Sequence, residues 1–291
     1  MQEDAAVRRP VLGFAISTMG GRLARNANLC SQLAELDFPA VVVNQHSDLD
    51  APLSASALGL NPEVTTVVNS TERGLSKSRN AALISLDTPW ALLCDDDVTL
   101  LPEEVVALED FLATGSFNQP SSKVGAVTTH LMKRLDVPWR AYPSNEGFIS
   151  GVGWKSLTRI QRINSMELVL HLDALNELEA RFDERFGLGA APTNGGEEVL
   201  LLHAILARGG VVLPTTFRPR MHPEESSGQA VNRSTAFTQG AVHRRVFGVA
   251  TWWLLLASYG LKRLIFSGLG PSGVVRVADY ARGGRWASRQ A

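Results

Sequence analysis

The chain has 291 residues, of which 45% are hydrophobic and 20% charged, enough for one sizeable core or for one domain with an appendage. The net charge of -1 excludes a strongly basic protein, and no nucleic-acid partner is expected. No uninterrupted apolar run reaches the ~18 residues that a membrane-spanning helix needs. The two cysteines have neither metal-site nor disulfide-scaffold spacing, so a cytoplasmic location is expected.

The first half of the chain alternates short apolar runs with helical patterns. Strands are predicted at residues 11–16, 41–43, 64–68, 90–94 and 124–129. Helices are predicted at residues 23–36, 76–86 and 102–112. This alternation is typical of an α/β fold with a mainly parallel sheet. Between residues 131 and 170, aromatic and glycine-rich stretches predict long loops and short antiparallel strands, a common place for substrate-specific surface.

Three consecutive acids follow the apolar run 90–94. A strand buried on both faces cannot keep three carboxylates inside, so they are expected at its carboxyl end, where open α/β sheets bind ligands. The two-residue repeat of a strand places Asp95 and Asp97 on one side and Asp96 on the other. Such carboxylates form a hard oxygen site suited to Mg²⁺ or Mn²⁺ carried by a phosphate ligand. A solvated acidic turn is the alternative for the triplet by itself.

Two basic residues, Lys77 and Arg79, lie in the first turns of the predicted helix 76–86. Cations are unfavourable there because the amino end of a helix is the positive end of its dipole, unless an anion lies nearby. A bound phosphate and simple exposure to solvent both account for them.

A second acidic pair, Glu197 and Glu198, opens a later helix whose residues 199–207 are strongly apolar. Carboxylates in the first turn complement the helix dipole, so capping alone explains one of them. The glycine-rich approach to the pair leaves room for a ligand, which keeps a catalytic role open.

Four segments taken together resemble the family 2 glycosyltransferases with the GT-A fold. They are Arg73-Gly-Leu-Ser-Lys-Ser-Arg-Asn80, Leu93-Cys-Asp-Asp-Asp-Val98, Phe182-Asp-Glu-Arg-Phe-Gly187 and Gly196-Glu-Glu198. They follow the family's order within residues 11–223, and a joint chance match is much rarer than a match to any one motif. The resemblance implies a Rossmann-like, mainly parallel sheet flanked by helices, with a small antiparallel region on the acceptor side.

The resemblance also implies transfer of a sugar, with inversion, from a nucleoside-diphosphate sugar to a hydroxyl of a glycan or lipid-linked acceptor, in bacterial-type polysaccharide or glycolipid assembly. Asp97, Asp95 and His222 would hold the Mg²⁺ or Mn²⁺ that neutralises the leaving diphosphate. Contacts with the nucleotide sugar are implied for Ser17, Thr18, Asp48, Arg79, Asp95 and Asp96.

The general base is expected at Glu198, which would take the proton of the acceptor hydroxyl as its oxygen attacks the anomeric carbon. The chain has Glu-Glu where many members of the family have Glu-Asp or Asp-Asp, so Glu197 is the alternative base. A base with inversion implies direct displacement of the nucleoside diphosphate.

Two other functions fit parts of the pattern. A sugar nucleotidyltransferase would need a glycine-rich phosphate loop with a basic residue after the first strand, but residues 17–22 lack its spacing and a lysine. A non-catalytic nucleotide-sugar-binding protein with the same fold is the second alternative, and binding without turnover would identify it.

The carboxyl-terminal part is expected to be a helical tail, residues 240–291, after a catalytic domain of residues 1–239. Residues 226–291 carry nine Lys/Arg and one acid, a net charge of +8, whereas the remainder carries -9. Residues 246–261 are uncharged, and as a helix they would be ~24 Å long, shorter than the ~30 Å hydrocarbon core. Two interpretations stay open: peripheral contact with the inner face of the membrane, or packing on the catalytic domain or on a second subunit in a homodimer.

Overall fold

The computed structural model describes residues 9–46, 52–115, 117, 124–143, 147–222, 233–267 and 271–290. The strands are β1 (Leu12–Met19), β2 (Ala40–Gln45), β3 (Thr65–Ser70), β4 (Trp90–Asp95), β5 (Thr99–Leu100), β6 (Val124–Thr128), β7 (Leu131–Arg134), β8 (Val137–Pro138), β9 (Ile149–Ser150), β10 (Leu168–His171), β11 (Val211–Pro214) and β12 (Arg220–Met221). The helices are α1 (Ala27–Leu36), α2 (Leu75–Ser85), α3 (Pro102–Thr114), α4 (Trp154–Ile160), α5 (Leu172–Glu177), α6 (Glu197–Ala207), α7 (Arg233–Ser267) and α8 (Pro271–Arg289).

An eight-stranded sheet forms the centre of the fold, with the order β3-β2-β1-β4-β10-β6-β11-β9. The pairs β3-β2, β2-β1, β1-β4 and β6-β11 are parallel, whereas β10 runs antiparallel to both β4 and β6. The chain order turns back between β1 and β4, because β2 and β3 lie on one side of β1 and the later strands on the other. Open α/β sheets bind ligands at the carboxyl ends of strands beside such a switch point.

Each face of this sheet carries its own hydrophobic cluster. Consecutive strand residues point to opposite faces, so Ala91 and Leu93 of β4 join one cluster and Leu92 and Cys94 the other. The first cluster includes residues of α6 and α7, and the second includes residues of α1 and α3. The predicted α/β class with helices on both faces is confirmed, and β4 is the doubly buried strand expected before the acids.

A second, four-stranded sheet has the order β5-β12-β7-β8. Two of its three pairings are antiparallel and the third, between β12 and β7, is parallel. This sheet holds His222, which follows β12, beside the acidic triplet at the end of β4.

The two carboxyl-terminal helices pack on each other and on the body of the fold. Helix α7 is broken at Gly248, whose φ of 74° is outside the helical region. The prediction of one continuous helix over residues 246–261 is therefore wrong at Gly248. Glycine allows this break because it has no Cβ to clash at positive φ. Both arms of α7 contact α8: His243, Trp252 and Tyr259 each lie against Tyr280. Within the described residues, no helix combines the length and the apolar character needed to cross a membrane.

Helix α7 begins within the segment assigned above to the catalytic domain, since it starts at Arg233. Its residues Ala241, Val242 and Val246 belong to the same buried cluster as α6, and Ala287 of α8 joins them. The division of the chain at residues 239 and 240 stays a prediction, and the boundary falls inside α7.

Replacing Gly240 by alanine should lower the stability of the protein. A Cβ at Gly240 would lie 1.9 Å from the carbonyl oxygen of Tyr280, so α7 and α8 would have to separate. Overpacking of this kind typically costs about 1–3 kcal/mol. We therefore expect Gly240→Ala to unfold at a lower urea concentration than the wild type.

Gly260→Ala is the matched control in the same helix. Its Cβ would lie 3.9 Å from Val277 Cγ1, an ordinary contact distance, so no backbone has to move. The higher helix propensity of alanine should there raise the free energy of unfolding by up to ~1 kcal/mol. If Gly240→Ala were as stable as Gly260→Ala, the close approach of α7 and α8 would not contribute to stability.

Candidate functional site

The acidic triplet lies at the carboxyl ends of the adjacent parallel strands β1 and β4. Asp95 is the last residue of β4 and pairs in register with Ser17 of β1, and Asp96 and Asp97 occupy the turn that follows. This position follows from the sequence, because the five residues before Asp95 are buried on both faces and the chain leaves the sheet where the carboxylates begin.

Asp96 is directed into the protein. Its Oδ2 accepts a hydrogen bond of 2.6 Å from Thr18 Oγ1, and its Oδ1 lies 2.9 Å from the guanidinium of Arg22. Burial raises the pKa of Asp96, although the bond from Thr18 and the charge of Arg22 oppose that shift. Asp96 thus ties the turn after β4 to the loop after β1.

Asp95 and Asp97 form a cluster with His222. One ligand atom from each of the three lies within 4.8 Å of the others. His222 follows β12, is 8% exposed and is held by a hydrogen bond from its backbone N–H to the carbonyl of Met132. Its Nε2 lies 3.2 Å from Asp97 Oδ1, and the nearby imidazole holds the pKa of Asp97 below its usual value.

This cluster fits a divalent cation. Asp97 Oδ1 is buried, and its one close polar neighbour among the described residues is His222 Nε2 at 3.2 Å, with no hydrogen bond from a backbone N–H or a hydroxyl. A buried carboxylate oxygen without a donor is costly, and a bound cation would satisfy it. Two carboxylates and an imidazole are ligands for Mn²⁺ and similar ions, and the two carboxylates also suit Mg²⁺.

A buried guanidinium, that of Arg79 on α2, connects this cluster to the second acidic pair. Arg79 is 2% exposed, and its NH1 donates a hydrogen bond of 2.7 Å to Glu197 Oε1. Its NH2 donates to Ser165 Oγ at 3.0 Å and lies 3.4 Å from Asp95 Oδ1. The two acidic groups that the sequence separates by a hundred residues therefore meet on one arginine.

The two glutamates at the start of α6 have different surroundings. Glu197 is 4% exposed and pairs with Arg79, whereas Glu198 is only partly buried. Burial, followed by the neighbouring Glu197 carboxylate, raises the pKa of Glu198. Glu197 is thus fixed in an internal ion pair, whereas Glu198 has a carboxyl group whose pKa is raised.

The start of α6 rests directly on α7. A Cβ on Gly196 would lie 2.5 Å from Val242 Cγ2, and Gly196 has a φ of 80°, so both space and backbone require glycine there. Thr238 Oγ1 accepts a hydrogen bond from the backbone N–H of Asn194 and donates one to its side-chain oxygen, both 3.1 Å long. The carboxyl-terminal helices therefore help to hold the glutamate pair in place.

The segment 182–187 packs on α2, which carries Arg79. Asn80 donates a hydrogen bond to the carbonyl of Phe182 and accepts one from its N–H, while Ser76 Oγ donates to the carbonyl of Phe186 at 2.6 Å. Asp183 pairs with Arg185 beside it and with Arg245 of α7. All four segments that carried the family resemblance are thus in contact, since Arg79 of the first also reaches Asp95 and Glu197.

The remaining predicted nucleotide-sugar residues are placed as follows. Ser17 is buried and its Oγ accepts a hydrogen bond from Ser78, and the hydroxyl of Thr18 is occupied by Asp96. Asp48 lies outside the described residues. Lys77, which the sequence left open to phosphate, pairs with Glu72 at 2.8 Å. The donor-binding roles of Ser17, Thr18, Asp48, Arg79, Asp95 and Asp96 stay predictions.

Arg22 is a site residue that the sequence analysis did not identify. It follows the glycine pair at the end of β1, is about half exposed, and its guanidinium lies 2.9 Å from Asp96 and 3.9 Å from Asp97. The signal was present in the sequence as a basic residue directly after two glycines at a strand end. The guanidinium of Arg22 suits an anion bound beside the cluster of Asp95, Asp97 and His222.

Comparison with known proteins shows the fold. No protein-family model and no curated protein matches the chain. Among solved structures, S. aureus TarS 1–349 in complex with UDP-GlcNAc has a TM-score of 0.59 at 14% identity, over 93% of this chain and 81% of that one. Glucosyl-3-phosphoglycerate synthase from Mycobacterium tuberculosis, in complex with Mn²⁺, UDP and phosphoglyceric acid, has a TM-score of 0.52 at 13% identity, over 83% and 80%. The chain therefore has the GT-A fold expected from its motifs.

Proposed function

We propose that this chain is a glycosyltransferase that moves a sugar from a nucleoside-diphosphate sugar to an acceptor hydroxyl. The observation that carries the proposal is the placement of Asp95 and Glu197 on one buried arginine, Arg79, at the switch point of the sheet. That contact puts a candidate cation cluster and a pair of candidate bases at the same edge. Two proteins of the same fold have been solved with UDP-GlcNAc and with Mn²⁺ and UDP, which supports this class of donor.

The donor would bind over the carboxyl ends of β1 and β4. Asp95, Asp97 and His222 would hold a divalent cation, Mn²⁺ or Mg²⁺, which neutralises the negative charge of the departing diphosphate. Arg22 would donate to the same diphosphate from the loop after β1. Because the hydroxyls of Ser17 and Thr18 are engaged within the protein, we expect β1 to meet the nucleoside chiefly through its backbone.

The proton of the acceptor hydroxyl would go to Glu198. Its carboxylate accepts that proton while the acceptor oxygen bonds to the anomeric carbon, and the bond from this carbon to the diphosphate breaks on the opposite side. One displacement inverts the anomeric centre. Glu197 is unsuited to this role in the structure because its carboxylate already pairs with Arg79 inside the protein.

A screen of nucleotide sugars tests the proposal as a whole. Each donor is incubated with the protein and Mn²⁺ or Mg²⁺, and hydrolysis is followed together with thermal stabilisation. Slow metal-dependent hydrolysis of one donor supports a glycosyltransferase and names its sugar. Stabilisation by a donor without any turnover, with acceptors supplied, would indicate a binding protein, and formation of a nucleotide sugar from a sugar phosphate would indicate a nucleotidyltransferase.

Asp97→Asn should weaken the binding of the cation. The substitution removes a carboxylate from the cluster, so Mn²⁺ affinity should fall by at least the ~10–100-fold that loss of a supporting partner causes at metal sites. Calorimetric titration with Mn²⁺ in the presence of UDP measures this, and sugar transfer should be abolished. Asp110→Asn, an exposed acid on α3, is the matched control and should bind as the wild type does.

Glu198→Gln and Glu197→Gln should fail in different ways. Glu198→Gln should keep the donor affinity while kcat falls by about 10²-fold or more, since a positioned base supplies that much. Glu197→Gln should lower the free energy of unfolding, by up to the ~3–5 kcal/mol that breaking a buried ion pair costs. Donor titration, kinetics and urea unfolding on both variants separate the roles, and normal transfer by Glu198→Gln would disprove its assignment as the base.

The activity should rise with pH, and the midpoint of this rise should lie above the ordinary pKa of a glutamate. Glu198 must be deprotonated to accept a proton, and its pKa is raised by burial and by Glu197, so the active form grows as pH increases through that raised value. The profile of kcat/KM measures this. If kcat/KM had already reached its plateau just above pH ~4.3, the ordinary pKa of a glutamate, the assignment of Glu198 as the base would be contradicted.

A further inference from the structure

The second arm of α7 presents an apolar face to the outside of the protein. Its exposed residues recur at intervals of four along the helix. The apolar ones, which we call the tail face, are Val249, Ala250, Trp253, Leu254, Ala257 and Leu261, with Ser258 and Lys262 exposed on the same side. Trp253 is 52% exposed, Leu254 71% and Leu261 57%. Large apolar side chains clustered in this way are uncommon on a surface that meets only water.

The opposite side of the same arm is already buried. Trp252 is 3% exposed, and its ring would lie 2.2 Å from a Cβ on Gly284 of α8, so the two helices pack closely there. Tyr259 stacks on Tyr280 of α8 at 4.8 Å between ring centroids. A helix that has packed one apolar side on its own protein ordinarily turns a polar side outward, and this arm does not.

Another segment adds to the exposed apolar surface beside this arm. Trp154, at the start of α4, is 59% exposed, and its ring packs on Phe247 with 5.1 Å between centroids. Phe247 lies two residues before Val249, where the tail face begins. Val152, which is 47% exposed, precedes Trp154 in the chain. The apolar surface is therefore built from two separate parts of the sequence, each offering an exposed tryptophan.

The net charge of the carboxyl-terminal helices indicates which kind of partner the tail face would bind. From residue 233 to the end of the chain there are nine Lys/Arg and a single acid, Asp279, which Arg233 and Arg282 already pair at 2.8 and 3.1 Å. A second copy docking by the same face would bring together two terminal segments that each carry a net charge of +8, because a two-fold interface repeats the same patch on both sides. An anionic lipid surface matches both properties, the apolar face and the positive charge.

We propose that the tail face lies in the headgroup region of an anionic bilayer. The second arm of α7, residues 249–267, is ~28 Å long at 1.5 Å per residue, and its opposite side is packed on α8, so it lies along the surface and does not cross the ~30 Å hydrocarbon core. The tryptophans sit at headgroup level, and the exposed Lys262 faces the lipid phosphates. This contact does not depend on the proposed sugar transfer, and it would hold the site beside an acceptor carried by a lipid.

Vesicle flotation of the full chain tests the proposal. The wild type should float with vesicles of phosphatidylcholine and phosphatidylglycerol at low salt, should float less as salt is added, and should stay behind with phosphatidylcholine alone. Trp253→Ser and Leu254→Ser should each weaken binding about tenfold or more, because burying one large apolar side chain exceeds the ~1.4 kcal/mol of a tenfold change. Leu254 is 71% exposed, so thermal unfolding of Leu254→Ser should be unchanged.

Ile84→Ser is the matched control, since Ile84 is 68% exposed but lies on α2. It should float as the wild type does, and Lys262→Glu should float less. Absence of flotation at low salt, or equal flotation by Trp253→Ser and the wild type, would overturn the proposal. Light scattering after size-exclusion chromatography tests whether a second copy of the chain binds the tail face instead. A dimer that Leu254→Ser converts to a monomer would show that it does.

Discussion

The whole site depends on the burial of one guanidinium group. A charge that is 2% exposed is tolerable only when carboxylates and hydrogen-bond acceptors surround it, and Arg79 obtains these from Glu197, Asp95 and Ser165. Its partners come from the start of α6, the end of β4 and the turn before β10. Removing any one of these partners would leave the buried charge less well compensated, so the arginine favours the relative positions of the three elements.

Much of the fold was predictable from local pattern. Apolar runs between helical patterns predicted where the parallel strands lie along the chain. The change from apolar to acidic residues at Asp95 placed the acids at a sheet edge, because buried strands exclude carboxylates. The insertion of the antiparallel β10 between β4 and β6 was not predictable, since strand order depends on contacts that no local pattern encodes. The pairing of Arg79 with Glu197 was hidden for the same reason: 118 positions separate them.

The carboxyl-terminal helices show a different limit of sequence reasoning. The uncharged run 246–261 predicts a continuous helix, and a single glycine inside such a pattern is normally tolerated at a modest cost. The break at Gly248 is determined by packing, since both arms of α7 have to reach Tyr280 of α8. The first arm of α7 packs on the body of the fold, as one of the two interpretations of the tail expected. The second arm keeps one apolar face exposed.

The contact of Gly196 with Val242 has a consequence for how such a chain can be altered. Because the backbone that leads into Glu197 and Glu198 has no room for any side chain against α7, the glutamates and the terminal helices cannot be exchanged independently between relatives of this fold. A chimera that combined this body with foreign terminal helices would need a matched small residue and a matched groove at that junction. The start of α6 and the carboxyl-terminal helices therefore have to change together.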